Sequence, residues 1–490
     1  FFSRFFYHHL MDDEVLDTLR KVQSLNKNRG QYGAFAEIGA GQEVVRWFFL
    51  AGGAAGTVAK SMSAYDMAVS NAIYGESTRY VSQARLEQML DHEYGLLHDR
   101  LSLAQGKTTR FFAYANTVAA TSFSRHGEGL GWMGVRFQAR PDGPANDIVL
   151  HVRLLDRDNL QQQEVVGLVG VNLIWGAMNL WENPQALVRS LVDNVGPGRL
   201  EMGMVRLSGP DFEAVDNRLI SLQLVEEGMA EAAMFDDTGE VVHPTELLYR
   251  RPIMVERGSF RPITRTTLRM LELALEEFDA DPVVCARVKE GYEVQVLFEM
   301  TLKNLTDKGG IDHQDFLERV DLLGAAEREL GRDAKIVVSN FGEFHRLAGY
   351  LFRHTLAPLG VVLGMPTVKE IFEERWYENL EGGLLEACGR LFQNDLRLYA
   401  YPWRDPAKGV VTVDTFQPEP HLTKLYEFLC LTGAIRALPV DDEVYLDIFS
   451  REALKKIRSN DPAWEAMVPE PVAALIRERG LLGCLTDKGN

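Results

Sequence analysis

Apolar positions recur along the chain at two periods. Val15, Leu16, Leu19 and Val22 fall at helical spacing over 13–23, and Leu86, Leu90, Leu97 and Leu101 form one stripe of an amphipathic helix over 80–103. A Gly-rich interruption separates them, so residues 1–105 read as a mainly helical, glycine-containing segment. From about Arg110 short β-branched and aromatic runs alternate with longer helical patterns. The pattern predicts strands over 111–115, 148–155, 167–174, 200–207, 230–235, 252–256, 294–300, 335–339, 359–363 and 396–401. It predicts helices over 158–166, 211–227, 264–278, 312–330 and 342–354. Near-continuous apolar strands alternating with helices imply an α/β fold, a mostly parallel sheet of βαβ units covered on both faces. This core is expected over 106–405. Beyond it the strands fade, and Pro439, Pro462, Pro469 and Pro471 punctuate helical patterns, so 406–490 reads as a helical cap. Asp158, Asp211 and Asp312 stand near three helix starts, where a carboxylate accepts from unpaired N–H groups.

Charge narrows the classes of partner. Lys plus Arg is 52 against 70 for Asp plus Glu, a formal charge of −18 over 490 residues. So acidic a chain repels phosphate backbones and anionic lipid, which argues against nucleic acid and membrane surfaces as partners. The uncharged runs 47–59 and 165–181 fall short of the roughly 20 residues that cross a bilayer and contain several glycines, so both read as buried core. The aromatic start (Phe1, Phe2, Phe5, Phe6, Tyr7) has no signal-peptide core and no initiator Met, which implies upstream sequence. Cys285, Cys388, Cys430 and Cys484 are too widely spaced for a zinc cluster or disulfide framework. A reduced, cytoplasmic protein is expected.

Candidate chemistry sits in loops that follow strands. Gly52-Gly53-Ala-Ala-Gly56-Thr57-Val-Ala-Lys60-Ser61 has the outline of a P-loop, but Ala59 stands where glycine must precede Lys-Ser. Gly39-Ala-Gly41 opens like a dinucleotide fingerprint without its third glycine. Both read as close helix packing through small residues. The stretch Glu256-Arg257-Gly258-Ser259-Phe260-Arg261-Pro262 lies at the carboxyl end of an expected strand. Either Arg257, Ser259 and Arg261 hold a phosphate or carboxylate, or the arginines pair with carboxylates of the chain. Ser339-Asn340-Phe341-Gly342-Glu343-Phe344-His345 occupies a similar position. Glu343 and His345 are candidates for acid–base catalysis, with Ser339 and Asn340 as ligand contacts or helix caps. A third polar loop holds Asn304, Asp307, Lys308 and His313, the last a further catalytic candidate. No metal site is expected: His92 and His98 are six positions apart instead of four, about 600° around a helix, and face different ways.

Trp47-Phe48-Phe49, Trp132-Met133, Trp175 and Trp181 read mostly as core, with some suited to a subunit interface. Together, Gly33–Glu43, Ala51–Met67, Tyr80–Tyr94, Val255–Pro262, Ile311–Asp321 and Val338–Phe344 resemble a bacterial family of about this size. Its members often carry the name nicotinate- or nicotinamide-mononucleotide adenylyltransferase. The resemblance implies a Rossmann-like fold and adenylyl transfer from ATP, with Mg²⁺, to a mononucleotide. The hallmark of that activity is a Gly-x-Phe-x-Pro-x-His-x-Gly-His loop near the N-terminus, followed later by an Ile-Ser-Ser-Thr-x-x-Arg phosphate grip. Gly33, Phe35 and Gly41 fit the first, but Glu37 replaces Pro and Gly39 and Gln42 replace the two His. No catalytic residue carries over there. Two readings follow: a non-catalytic, self-associating scaffold, or a nucleotide- or phosphate-ester-binding enzyme of nucleotidyltransferase type using Arg257, Arg261 and the 339–345 turn.

Overall fold

The computed structural model describes residues 15–121, 129–307 and 309–485. Phe1, Phe2, Phe5, Phe6, Tyr7 and Lys308 lie outside the described residues. The fold is mixed α/β, and the chain divides into two compact units, one up to Asp216 and one from Asn217. That division falls inside the stretch 106–405 expected as a single core.

The first unit carries one sheet, from β1 (Gln31–Gly39), β2 (Val58–Ala64), β3 (Arg110–Ala119), β4 (Gly129–Gln138), β5 (Ala145–Leu154) and β6 (Leu200–Ser208), in the order β2-β1-β3-β4-β5-β6. β2, β1 and β3 are parallel, and β3 to β6 form an antiparallel meander. The early residues are mainly helical, as expected, with Thr18–Lys27, Val44–Ala51, Met67–Tyr74 and Gln83–Gln105, and strands β1 and β2 are set among these helices. β1 lies between two partners and is buried almost throughout, which hides the alternation that marks a half-exposed strand. β4 escapes the pattern for another reason: Gly129, Gly131 and Gly134 dilute its strand signal. Two of them are there for closeness, since a Cβ on Gly131 would stand 2.7 Å from Val118 and one on Gly134 3.0 Å from Leu90.

The run 167–174, expected as a strand, is the middle of a helix, Asn159–Asn179, capped by Asp158, whose side chain accepts from Leu160 N–H. Val165 to Ile174 are buried without a break, so the helix lacks a polar face and cannot be told from a strand by periodicity. Gly52 and Gly53 sit at φ 76° and 75°, ending the Val44–Ala51 helix. They serve the turn and not close helix packing, since a Cβ on Gly52 would meet nothing within 4 Å. Asp211 caps no helix: it lies in a 3-10 turn, Pro210–Phe212, accepts from Asn146 Nδ2 at 2.8 Å, and the next helix starts at Asn217.

The second unit contains β7 (Ala232–Phe235), β8 (Ile253–Arg257), β9 (Gln295–Thr301), the hairpin β10 (Thr306–Asp307) with β11 (Gly310–Ile311), β12 (Ala334–Ser339), β13 (Leu359–Gly364), β14 (Leu396–Tyr401), the hairpin β15 (Trp403–Asp405) with β16 (Gly409–Val411), and β17 (Ile435–Ala437). Seven of these form a sheet in the order β17-β14-β13-β8-β9-β12-β7. All neighbours are parallel except β7, which runs against β12. Numbered from β8, the parallel strands read 3-2-1-4-5-6 outward from β12, the order of a doubly wound nucleotide-binding sheet. β8 is the first of the parallel strands in the chain and the centre of the sheet. One face buries Ile253, Val255, Leu297, Val361 and Leu398 against Leu347 and Leu351 of the Phe344–Phe352 helix. Residues after 406 supply the expected helices, Thr423–Leu431, Ser450–Arg458 and Glu470–Arg479, together with the three-residue strands β16 and β17. Among the described residues no helix is long and apolar enough to cross a membrane.

Candidate functional site

The loops leaving β8, β9 and β12 meet above the carboxyl ends of the central strands. β8 is where strand order reverses, with β9 and β12 on one side and β13 and β14 on the other. At such a reversal successive loops part to opposite faces and leave a crevice. Arg257, at the end of β8, ties the loops together. Its Nε and Nη2 donate to Glu299 at 2.7 and 3.0 Å, and Nη1 donates to the Gly342 carbonyl at 3.2 Å. Its guanidinium lies 4.3 Å from the centre of the Phe344 ring. Glu299 is fully buried and also accepts from Ser339 Oγ at 2.5 Å. Asn304 Nδ2 donates to the Gly258 carbonyl at 3.2 Å. Arg319, buried on the His313–Leu330 helix, donates to the carbonyls of Ser259 and Asn304 at 3.0 and 2.9 Å. Asp315 pairs with Arg319 and meets Arg261 Nε at 2.6 Å.

These contacts assign most of the candidates. Arg257 and Arg261 are both ion-paired, to Glu299 and Asp315. Ser339 is buried against Glu299 and faces no solvent. Ser259 is exposed, and its carbonyl serves as an anchor for Arg319. Asn340 N–H donates to the carbonyl of Glu231, just before β7, at 3.0 Å, and its Oδ1 accepts from Arg346 Nη2 at 3.5 Å. His313 lies 3.4 Å from Glu226 and is exposed. His345 packs beside Tyr377, where burial lowers its pKa against the opposing influence of nearby Glu343. The two histidines have different neighbours and form no common acid–base pair. Glu343 starts the Phe344–Phe352 helix without capping it through its side chain.

Two features went unread in the sequence. Glu256 is buried, its Oε2 has no hydrogen-bond partner among the described residues, and burial pushes its carboxyl well above the usual range. The second is a motif. Residues 33–41 cannot form a Gly-x-Phe-x-Pro-x-His-x-Gly-His loop, because 31–39 is strand β1. The same spacing fits 258–267, between β8 and the Arg265–Asp279 helix: Gly258, Phe260 and Pro262 match, with Thr264, Thr266 and Thr267 in place of His, Gly and His. The signal that would have found it is context, a glycine loop directly after a strand and before a helix. Phe260 holds φ 45°, a conformation a bulky side chain rarely adopts, with its ring edge-on to Phe298 at 5.4 Å. The spacing of the phosphate grip is met in part by 448–454, with Ile448 and Ser450 in place and Leu454 where Arg would stand. Ser450 Oγ donates to the Pro262 carbonyl at 2.8 Å, which brings that segment onto the loop.

Trp376 completes the rim. It is partly exposed, with Lys303 Nζ 4.9 Å from its ring centre and the Arg375 guanidinium at the same distance. Lys303 neighbours Asn304, so the indole sits beside the loops that Arg257 and Arg319 bind together. Among the described residues no group of three or more His, Cys, Asp or Glu is arranged to hold a metal ion. The first unit has a concavity of its own, about 310 Å³, where β1 and β3 end, lined by Gly39, Gln42, Tyr65, Val118 and Thr121.

No family model matches this chain, and no curated protein does. Among solved structures the chain is similar to the nicotinic acid mononucleotide adenylyltransferase of Plasmodium falciparum complexed with APC, at 12% identity over 48% of this chain and 99% of that one, TM-score 0.30. It is also similar to the competence/damage inducible protein CihA of Agrobacterium tumefaciens, at 16% identity over 35% and 99%, TM-score 0.24. A competence-damaged protein (CinA) superfamily member of Enterobacter cloacae stands at 14% identity over 35% and 97%, TM-score 0.25.

Proposed function

We propose that the second unit binds a mononucleotide or dinucleotide at the rim above β8 without the histidine-assisted adenylyl transfer that its loop motif would otherwise imply. The observation that carries this reading is the position of Gly258-x-Phe260-x-Pro262 at the reversal point of a 3-2-1-4-5-6 sheet, directly before a fifteen-residue helix. The N–H groups of that helix's first turn attract a phosphate. Trp376 offers a planar face to a base or pyridine ring, and Lys303 and Arg375 are long enough to swing from the indole to an anion. Thr264 and Thr267 keep hydroxyl groups where the two imidazoles would stand. The Thr264 hydroxyl is occupied as the helix cap, accepting from Thr267 N–H. Neither hydroxyl carries a positive charge to a leaving pyrophosphate. Leu454 likewise brings no guanidinium. What remains is a binding rim whose transfer groups are missing.

The test is a thermal-shift and calorimetric titration with nicotinate mononucleotide, nicotinamide mononucleotide, NAD and ATP, each with and without Mg²⁺. Ligand at 100 times its dissociation constant adds about 2.7 kcal/mol of stability. Trp376→Ala is expected to remove most of it, and no pyrophosphate is released from ATP and mononucleotide together. Failure of all four ligands to stabilise at millimolar concentration overturns the proposal, and so does rapid pyrophosphate release.

A second reading, self-association, is favoured by the exposed Phe428 and Leu431 on the Thr423–Leu431 helix. Sedimentation velocity is expected to show a concentration-dependent dimer that Leu431→Lys shifts to monomer. A monomer at every concentration removes this reading.

A further inference from the structure

At the opposite end of the second unit's sheet, below the amino ends of β8, β9 and β13, lies a cleft of about 800 Å³. It lies far along the strands from the rim above β8 and shares no lining residue with it. Three arginines line it, Arg250, Arg287 and Arg353, together with Tyr249, Tyr292 and the exposed Leu356. Arg287 is balanced by Glu290 at 3.1 Å, and Arg353 by Glu231 at 2.6 Å. Arg250 is different. Its Nη1 donates to the Tyr292 hydroxyl at 3.4 Å, its guanidinium lies 5.2 Å from the Tyr249 ring centre, and no carboxylate pairs with it among the described residues.

Backbone geometry points the same way. Arg250 sits at φ 59°, in the left-handed region that glycine or asparagine fills at little cost and a long side chain does not. The turn alone would be better served by glycine, so the side chain is what the position retains. A cleft of this volume suits a small molecule, not a protein surface. Its walls supply what an aromatic phosphate monoester needs: a guanidinium with no carboxylate partner among the described residues for the anion, and two phenol rings for stacking.

We propose that this cleft is a second, independent binding site for a small aromatic anion of the nucleoside monophosphate type. Arg250 holds the phosphate, and Tyr249 and Tyr292 hold the ring. The site needs neither the Gly258 loop nor Trp376, so it stands or falls separately from the rim.

The probe is AMP, with adenosine and inorganic phosphate as its two halves, titrated into the full chain carrying Trp376→Ala so that the rim is disabled. AMP is expected to bind, and each half to bind at least about tenfold more weakly, because each keeps only one set of contacts. Arg250→Gly then gives opposite signs. Relief of the turn raises the melting midpoint by roughly 2–4 °C, while AMP affinity falls about tenfold or more. Arg250→Lys, which keeps charge without the fork, recovers part of the affinity. Equal AMP affinity in Arg250→Gly overturns the proposal, as does no AMP binding in the Trp376→Ala chain. Loss of affinity together with a lowered midpoint also overturns it, since Arg250 then serves the fold.

Discussion

Replacing Glu299 with alanine is expected to destabilise the second unit by about 3–5 kcal/mol. Glu299 is fully buried, and its two oxygens receive Arg257 through two donors and Ser339 through a third. Arg257 is itself nearly enclosed, with a side-chain exposure of 10%. Truncating the carboxylate therefore leaves a guanidinium out of water with only the Gly342 carbonyl and the Phe344 ring for company. The desolvation already suffered by that cation is no longer offset, and it dominates the loss. The pair replaced together behaves otherwise. In Arg257→Met with Glu299→Leu no buried charge remains, and a well-packed apolar pair is expected to recover most of the stability. Urea denaturation of the two single variants and the double variant measures this as a coupling energy. A cost under 1 kcal/mol for Glu299→Ala would mean that the pair is solvated and that the loops are not bound through it. The double variant carries a second consequence. Arg257 is the strut between the β8 and β12 loops, so nucleotide affinity at the rim is expected to drop even where stability is restored.

The strut also explains how far the sequence could be read. Strand–helix alternation made the doubly wound second unit legible because each element there is bounded by its own local signals, and strands such as 335–339 and 396–401 lie close to their expected limits. Chain order does not reveal which strands pair. β3 joins β1 in parallel and then turns back through β4, a distinction made by contacts far apart in sequence. Composition misled where burial is complete: Val165–Ile174 is apolar on every side as a helix and therefore looks like a core strand. The candidate loops were legible as neighbours at one rim. Their arginines were not legible as bound or free, because Glu299 and Asp315 lie 42 and 54 residues beyond Arg257 and Arg261, and only the fold supplies that adjacency. The Gly258 motif shows a further limit. A pattern of glycines has meaning only once the strand before it and the helix after it are placed.

In the first unit, stability is expected to fall by about 3 kcal/mol between pH 4.5 and pH 8 through Glu37 alone. Glu37 lies near the end of β1, is 2% exposed, and accepts from Val44 N–H at 2.9 Å and Val45 N–H at 3.3 Å. Burial outweighs those two donors and raises its carboxyl from the ordinary 4.5 to about 7. The folded pKa is the higher one, so the sign is fixed. Below pH 4.5 both states hold the proton and Glu37 does not affect the balance. Between pH 4.5 and 7 the unfolded chain releases its proton while the folded chain keeps it, and stability declines as pH rises. Above about pH 7 the folded carboxyl ionises too and the loss is complete, amounting to about 3 kcal/mol for a gap of this size. Glu37→Gln keeps an acceptor for Val44 and cannot ionise. Hydrogen exchange of peptides spanning 31–51 is therefore expected to show equal protection in both proteins at pH 4. By pH 8 the glutamine form should be better protected by about 3 kcal/mol, after correction for the intrinsic exchange rate. A difference that does not change with pH would show that Glu37 ionises normally and that solvent reaches the end of β1.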